Sequence, residues 1–245
     1  MDVWRFNSFL NTKNKIEGVK FMKISIENQI LETYPQYKMG LVKIMSTNQN
    51  WEKLQLLTKY EKSLADQKTV QTEWMKIFSD MHASERRLPS VVALWNIIDQ
   101  FGALKPINYF VDAYNYISVK HGIPMGGYDI QKLPYPELIL QHAIQGGTKF
   151  QPMGLSGQLE KIKDSAEICY YCGDIPVCRY WNHKDSEITK IDENTSNVLI
   201  MFDTLGGLTP LKNAMTELIE IIKATADVVE VKTQIVSKEN ANCEI

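Results

Sequence analysis

Apolar residues recur along this chain at two intervals, and each predicts a different element. In Asn108–Asp129, NYFVDAYNYISVKHGIPMGGYD, the residues Val111, Tyr114, Ile117 and Ser118 fall three or four positions apart. That spacing lines one buried face of a helix. Gly122 stops it, Pro124 fixes φ just beyond, and Gly126-Gly127 predict a turn that takes positive φ or a backbone that a ligand approaches closely. From Trp51 to about His82, spaced apolar residues (Trp51, Leu54, Leu57, Leu64, Trp74, Phe78) without proline predict helix. Arg86-Arg87-Leu88-Pro89 marks a turn, and Ser90 is the candidate N-cap of a helix through Trp95, Ile98 and Phe101. Thr209 as N-cap, with Pro210 first in the helix, opens another through Leu211, Met215, Leu218 and Ile222.

Strand signals fill the rest. Ile24 and Ile26 form a short strand, a brief helix leads to Tyr34-Pro35, and Met39–Ile44 returns as a second strand. Short strands follow through Met153, broken at Gly146-Gly147 and Gly154. ICYYC and PVCRYW read as two adjacent strands, Val198–Phe202 as a buried one, and Val229, Val231, Thr233 and Ile235 alternate. Residues 1–22 lack clean periodicity and read as an N-terminal extension. Residues 23–245 then form a single α+β domain, a mixed sheet with flanking helices.

Composition narrows the function. Hydrophobic residues are 44% of the 245 and charged residues 23%, enough for an ordinary core and too apolar for wholesale disorder. A net charge of -2 excludes a broadly basic nucleic-acid binder, so any RNA contact is a local patch, and DNA is not an expected partner. No apolar run nears the ~20 residues that cross a bilayer and no signal-peptide pattern opens the chain, so a cytoplasmic protein without a membrane partner is expected. Cys169, Cys172, Cys178 and His183 can be written as a metal knuckle. Residues three apart on a strand point to opposite faces, so Cys169 and Cys172 cannot share an ion and no metal is assigned.

Five blocks carry a resemblance: NYFVDAYN, IPMGGYD, GGTKFQPMG, VCRYWNHKDSEIT and DENT, in that order. Together they resemble the B3/B4 domain, the amino-acid-editing module of the phenylalanyl-tRNA synthetase β subunit, and more closely its free-standing relatives, from about Lys23 to Cys243. The resemblance implies the B3/B4 fold, a tRNA 3′ end as partner, possible association with a synthetase, and hydrolysis of the ester to a wrong amino acid. A pocket shaped for one side chain rejects an isostere bearing one more hydroxyl only weakly, so a second, hydrolytic sieve is needed. The aminoacyl ester is already activated; a positioned water attacks it, backbone amides hold the oxyanion, and no cofactor enters. A non-catalytic module that binds tRNA or an amino acid is the alternative.

Within that frame Glu187 is the candidate for water positioning or amine recognition, since it aligns with an acidic position near the synthetase editing pocket. Gly126 and Gly127 either expose N–H groups to the ester carbonyl or form a plain turn. Asp129 either receives the ammonium group or caps the next element. Asn115 reaches a ligand or is a satisfied core amide, and Thr189 binds a ligand or makes a local turn bond. Trp181-Asn182 either stack on and fix a ligand or bury the indole in the core. Arg86, Arg87, Lys120 and Arg179 are the cations to test for RNA, with Lys161 and Lys163 next. The synthetase domain carries a histidine and a small residue where this chain has Met125-Gly126-Gly127, so the synthetase's selection of tyrosine does not carry over.

Overall fold

Segments rich in β-branched and aromatic residues pair in an order far from that of the sequence. The computed structural model describes residues 21–59, 63–144, 146–155 and 157–245, so residues 1–20 of the expected extension lie outside the described residues. In chain order the elements are β1 (Lys23–Ile26), α1 (Asn28–Thr33), β2 (Lys38–Thr47), α2 (Trp51–Leu57), α3 (Gln67–Asp80), α4 (Ser90–Phe101), α5 (Tyr109–His121) and β3 (Met125–Asp129). There follow β4 (Glu137–His142), β5 (Thr148–Phe150), β6 (Glu160–Ile162), β7 (Ile168–Cys172), β8 (Ile175–Arg179) and β9 (Lys184–Asp185). The last are β10 (Asn197–Thr204), α6 (Leu208–Thr225), β11 (Asp227–Ser237) and β12 (Asn242–Glu244).

The fold is α+β, with the mixed sheet the sequence predicts and a second sheet beside it. The mixed sheet has six strands ordered β12-β1-β4-β7-β8-β9, in which β1 runs parallel to β4 and the other pairs are antiparallel. The second has four antiparallel strands ordered β11-β2-β10-β3, and β5 and β6 form a separate ribbon. Residues on β10 alternate between two cores. Leu199 and Met201 pack with Ile24, Leu140, Tyr170 and Val177 of the six-stranded sheet, whereas Val198, Ile200 and Phe202 pack with α5 and α6. This accounts for the unbroken apolar run there, because both faces are covered. At the far edge of the mixed sheet, Met22 and Ile245 exchange backbone hydrogen bonds of 2.9 and 3.0 Å.

Four local expectations are corrected. Ser90 is the first residue of α4 rather than its N-cap, which is Pro89. The stretch 51–82 is two helices, each starting at its own cap: Asn50 accepts from Lys53 N, and Asp66 from Lys68 N and Thr69 N. The helix assigned to Thr209-Pro210 starts at Leu208 after Gly207, which puts Pro210 within the first turn, where N–H groups lack intrahelical partners anyway. Gly126 and Gly127 form no positive-φ turn; they lie in β3, hydrogen-bonded to β10. The cysteines follow the alternation: Cys169 packs with Phe150 and Ile162, while Cys172 and Cys178 sit in the core between the sheets.

Candidate functional site

The two sheets each end in an edge strand, β3 in one and β9 in the other, and the two strands face each other. A methyl added to Gly126 would stand 3.6 Å from the Asp185 carboxylate, in ordinary contact. Across the ladder, Asp203 N donates to Pro124 O at 2.9 Å, which sets the alternation. Gly126 and Tyr128 therefore bond to β10, whereas Met125 and Gly127 turn their N–H and C=O groups away from it, toward the sheet's edge. Met125 O on that edge accepts from Ser90 Oγ at 3.3 Å, where α4 begins. Gly127 is small for a different reason. A methyl there would meet Ile191 Cδ1 at 3.0 Å and Tyr114 Cε1 at 3.3 Å, so the Tyr114 ring lies over the glycine backbone.

Asp185 is drawn inward by the β8–β9 hairpin, whose register sets it opposite Cys178. Burial pushes its carboxyl up to about 6, a hydrogen bond from the Cys178 thiol pulls against that, and the charge of Asp203 pushes the same way as burial. Asp203 is fully enclosed and accepts from Tyr37 at 2.5 Å, Tyr170 at 2.6 Å and Asn182 Nδ2 at 3.4 Å. Its carboxyl is also raised to about 6, by burial. Burial raises the Tyr114 phenol strongly, and the charge of Asp185 adds to that shift. The junction of the two sheets thus holds a carboxylate that titrates near neutrality, a phenol and an edge of backbone polar groups.

A cavity lies on the other side of α5. It measures about 360 Å³ and is lined by Asn115, Tyr116, Val119 and Lys120 of the helix and by Leu104, Lys105 and Pro106 of the loop before it.

The sequence matches the B3/4 domain family over residues 74–216, more than half of the chain. The chain belongs to the B3/4 domain family. The matched span of this B3/4 protein holds both edge strands and Asp185, whereas β1, β2, β11 and β12 of the two sheets lie outside it. Among solved structures it is similar to an N-terminal fragment of the phenylalanyl-tRNA synthetase β subunit from Pyrococcus horikoshii, with a TM-score of 0.44 and 11% identity. That likeness covers 84% of this chain and 49% of the fragment, so the chain spans about half of the fragment's length. No curated protein matches the chain.

The B3/4 fold places the residues singled out in the sequence in several surroundings. Glu187 begins a 3-10 turn, where its carboxylate accepts from Gly154 N at 2.9 Å and Lys190 Nζ at 3.3 Å. The Gly154 N–H lowers its pKa most. Glu187 thereby ties the QPMG loop to the SEIT segment, and the acid standing against Gly126 is Asp185, two residues upstream. Asp129 caps a short turn, accepting from Gln131 N at 2.9 Å and Thr195 Oγ1 at 2.8 Å. Thr189 is fully buried, and its hydroxyl has no hydrogen-bond partner among the described residues.

Trp181 is enclosed by the rings of Tyr34, Tyr37 and Trp74 at 4.8–5.6 Å, so its indole is core and cannot stack on a ligand. It and Tyr180 take positive φ, at 63° and 48°, in the turn between β8 and β9, a conformation held by that packing. Asn182 is buried next to it, and its Oδ1 lacks a partner among the described residues.

Of the cations, Arg179 is buried and gives all three guanidinium nitrogens to acids, at 2.6 and 2.7 Å to Glu167 and 2.6 Å to Glu160. It braces β8 and is not available to a phosphate. Arg87 lies 4.4 Å over the Tyr180 ring, Arg86 is exposed, and Lys120 bonds Glu217 at 2.8 Å. Lys161 and Lys163 are exposed on either side of Ile162. Among the described residues no helix is long and apolar enough to cross a membrane.

Asp185 escaped the sequence reading because an acid in a polar run defaults to an exposed loop. The usable signal was parity: in a hairpin that turns through Tyr180-Trp181-Asn182-His183, Asp185 falls opposite the apolar, inward Cys178.

Proposed function

We propose that this B3/4 protein hydrolyses the ester of mischarged aminoacyl-tRNA, acting free of the synthetase, with Asp185 as the base at the junction of the two sheets. One observation carries the reading: a carboxyl raised to about 6 faces a residue without a side chain on an edge strand. At pH 7 it is largely ionised and still basic enough to accept a proton, the compromise general-base catalysis favours. Water gives that proton to Asp185 as its oxygen attacks the ester carbonyl. The carbonyl oxygen becomes an oxyanion opposite the Gly127 N–H. Collapse breaks the bond to the terminal ribose oxygen, which recovers the proton, leaving free amino acid and tRNA. Support also comes from the family and from the hydrolytic logic above.

The test is release of amino acid from a panel of correctly and incorrectly charged tRNAs, including tyrosine on phenylalanine tRNA. One mischarged pair should be cleared selectively. Asp185→Asn should slow it by ~10²-fold or more, the usual range for losing a general base. Gly126→Ala should also slow it, since the methyl fills the space before the carboxylate without a clash. Loss on Glu187→Gln with Asp185→Asn unimpaired would move the role to Glu187. Binding without release of any pair would leave a tRNA- or amino-acid-binding module.

A further inference from the structure

Helix α5 separates two places. Tyr114 faces the Asp185 side, while Asp112, Asn115, Tyr116, Val119 and Lys120, at intervals of three and four, line the cavity on the opposite side. At about 360 Å³ the cavity holds roughly a dozen waters' volume and lies within the range of small-molecule sites. Its walls combine an apolar set (Leu104, Pro106, Val119) with the amides of Gln55 and Asn115 and the ammonium groups of Lys59 and Lys105.

The charges there are unequal. Asp112, the acid in the lining, already accepts from Trp51 Nε1 at 2.7 Å and Ile107 N at 2.9 Å. Lys120 is engaged by Glu217. Lys59 and Lys105 are exposed and have no ion-pair partner among the described residues. An apolar floor with two amides and two unpaired cations complements a molecule of mixed character and negative charge.

We propose that this cavity binds a small organic anion, with its apolar or heterocyclic body between Leu104, Pro106 and Val119 and its carboxylate or phosphate at Lys59 and Lys105. This goes beyond the deacylase reading and does not depend on it. The amides of Gln55 and Asn115 are placed to read hydrogen-bonding atoms on that body.

Calorimetric titration of the full chain with N-acetyl-L-phenylalanine and with adenosine monophosphate tests it, each beside its neutral counterpart, N-acetyl-L-phenylalaninamide and adenosine. One anion should bind with a Kd of about 1 mM or tighter, and its neutral counterpart at least ~10-fold more weakly. Preference for the carboxylate identifies an amino-acid-type ligand and preference for the phosphate a nucleotide. The Lys59→Ala/Lys105→Ala double variant, altered only at exposed side chains, should keep the wild-type circular dichroism and lose ~10-fold or more in affinity. Asp185→Asn should leave affinity unchanged. No binding of either anion at ~10 mM overturns the proposal, as do equal binding by the double lysine variant or loss of binding in Asp185→Asn.

Discussion

The position of a single acid decides the chemistry available at the sheet junction. The folded Asp185 holds its proton up to about pH 6, well above the ordinary 3.8, because burial disfavours the charge. The folded state then binds the proton more tightly than the unfolded chain. The stability this provides is complete below pH ~4 and lost as pH rises through 6, the reverse of an ion-paired carboxylate. Two consequences follow for Asp185→Asn. Wild-type deacylation should climb with pH to a plateau above about 6, and the variant should lack that step. At pH 7 the variant should also be more stable in urea, by ~1–2 kcal/mol after discounting for partial exposure. A flat wild-type profile with an unchanged midpoint would show that Asp185 does not titrate in this range. Nothing local marks Asp185 over Glu187 in HKDSEIT; the difference arises from β3, which brings Gly126 against one and not the other. The glycine pair was read as a turn for the same reason. Turn signals are local, whereas the need for a missing Cβ at Gly127 comes from Tyr114 and Ile191.

Elements whose pattern is self-contained were the legible ones. Helix α5 has its buried face and its stop at Gly122, with φ at 67°, where the spacing put them, and β10 its doubly covered run. The break between α2 and α3 was missed because apolar spacing continues past it; the Asp66 cap, followed by Lys68 and Thr69 amides, is what restarts the helix. β8 illustrates a charge read in the wrong place. Arg179 follows an apolar strand, and only the neighbouring β7 and ribbon reveal that Glu167, 1% exposed, and Glu160 wait for it. Replacing Arg179 with alanine strands the Glu167 carboxylate in the core and should cost ~3–5 kcal/mol in urea unfolding. The Arg179→Met/Glu167→Leu pair should recover much of that loss. A single variant as stable as wild type would mean that water reaches Glu167.

At the scale of the whole molecule, the sequence yielded the α+β class and not the strand order. Alternation says that a segment is a strand; it does not say which partner it takes across two hundred residues. β1 shows the gap best, since its neighbours are β4, in parallel, and β12, with Lys23 facing Glu244. Deleting residues 242–245 removes the buried Ile245 and that whole pairing, and should lower the melting temperature by several degrees or more. Native-state hydrogen exchange should place the loss in β1 first, and equal protection of β1 in the shortened chain would refute the dependence.

The same pairing has a consequence for biosynthesis. On the ribosome β1 emerges long before its antiparallel neighbour β12 has been made, and its parallel neighbour needs a long crossover to reach it. Such non-local closure is slow and leaves an adhesive strand edge uncovered meanwhile. The mixed sheet is therefore completed only once β12 has been made, and a chaperone that shields β1 until then would raise yield more than one acting on the helices.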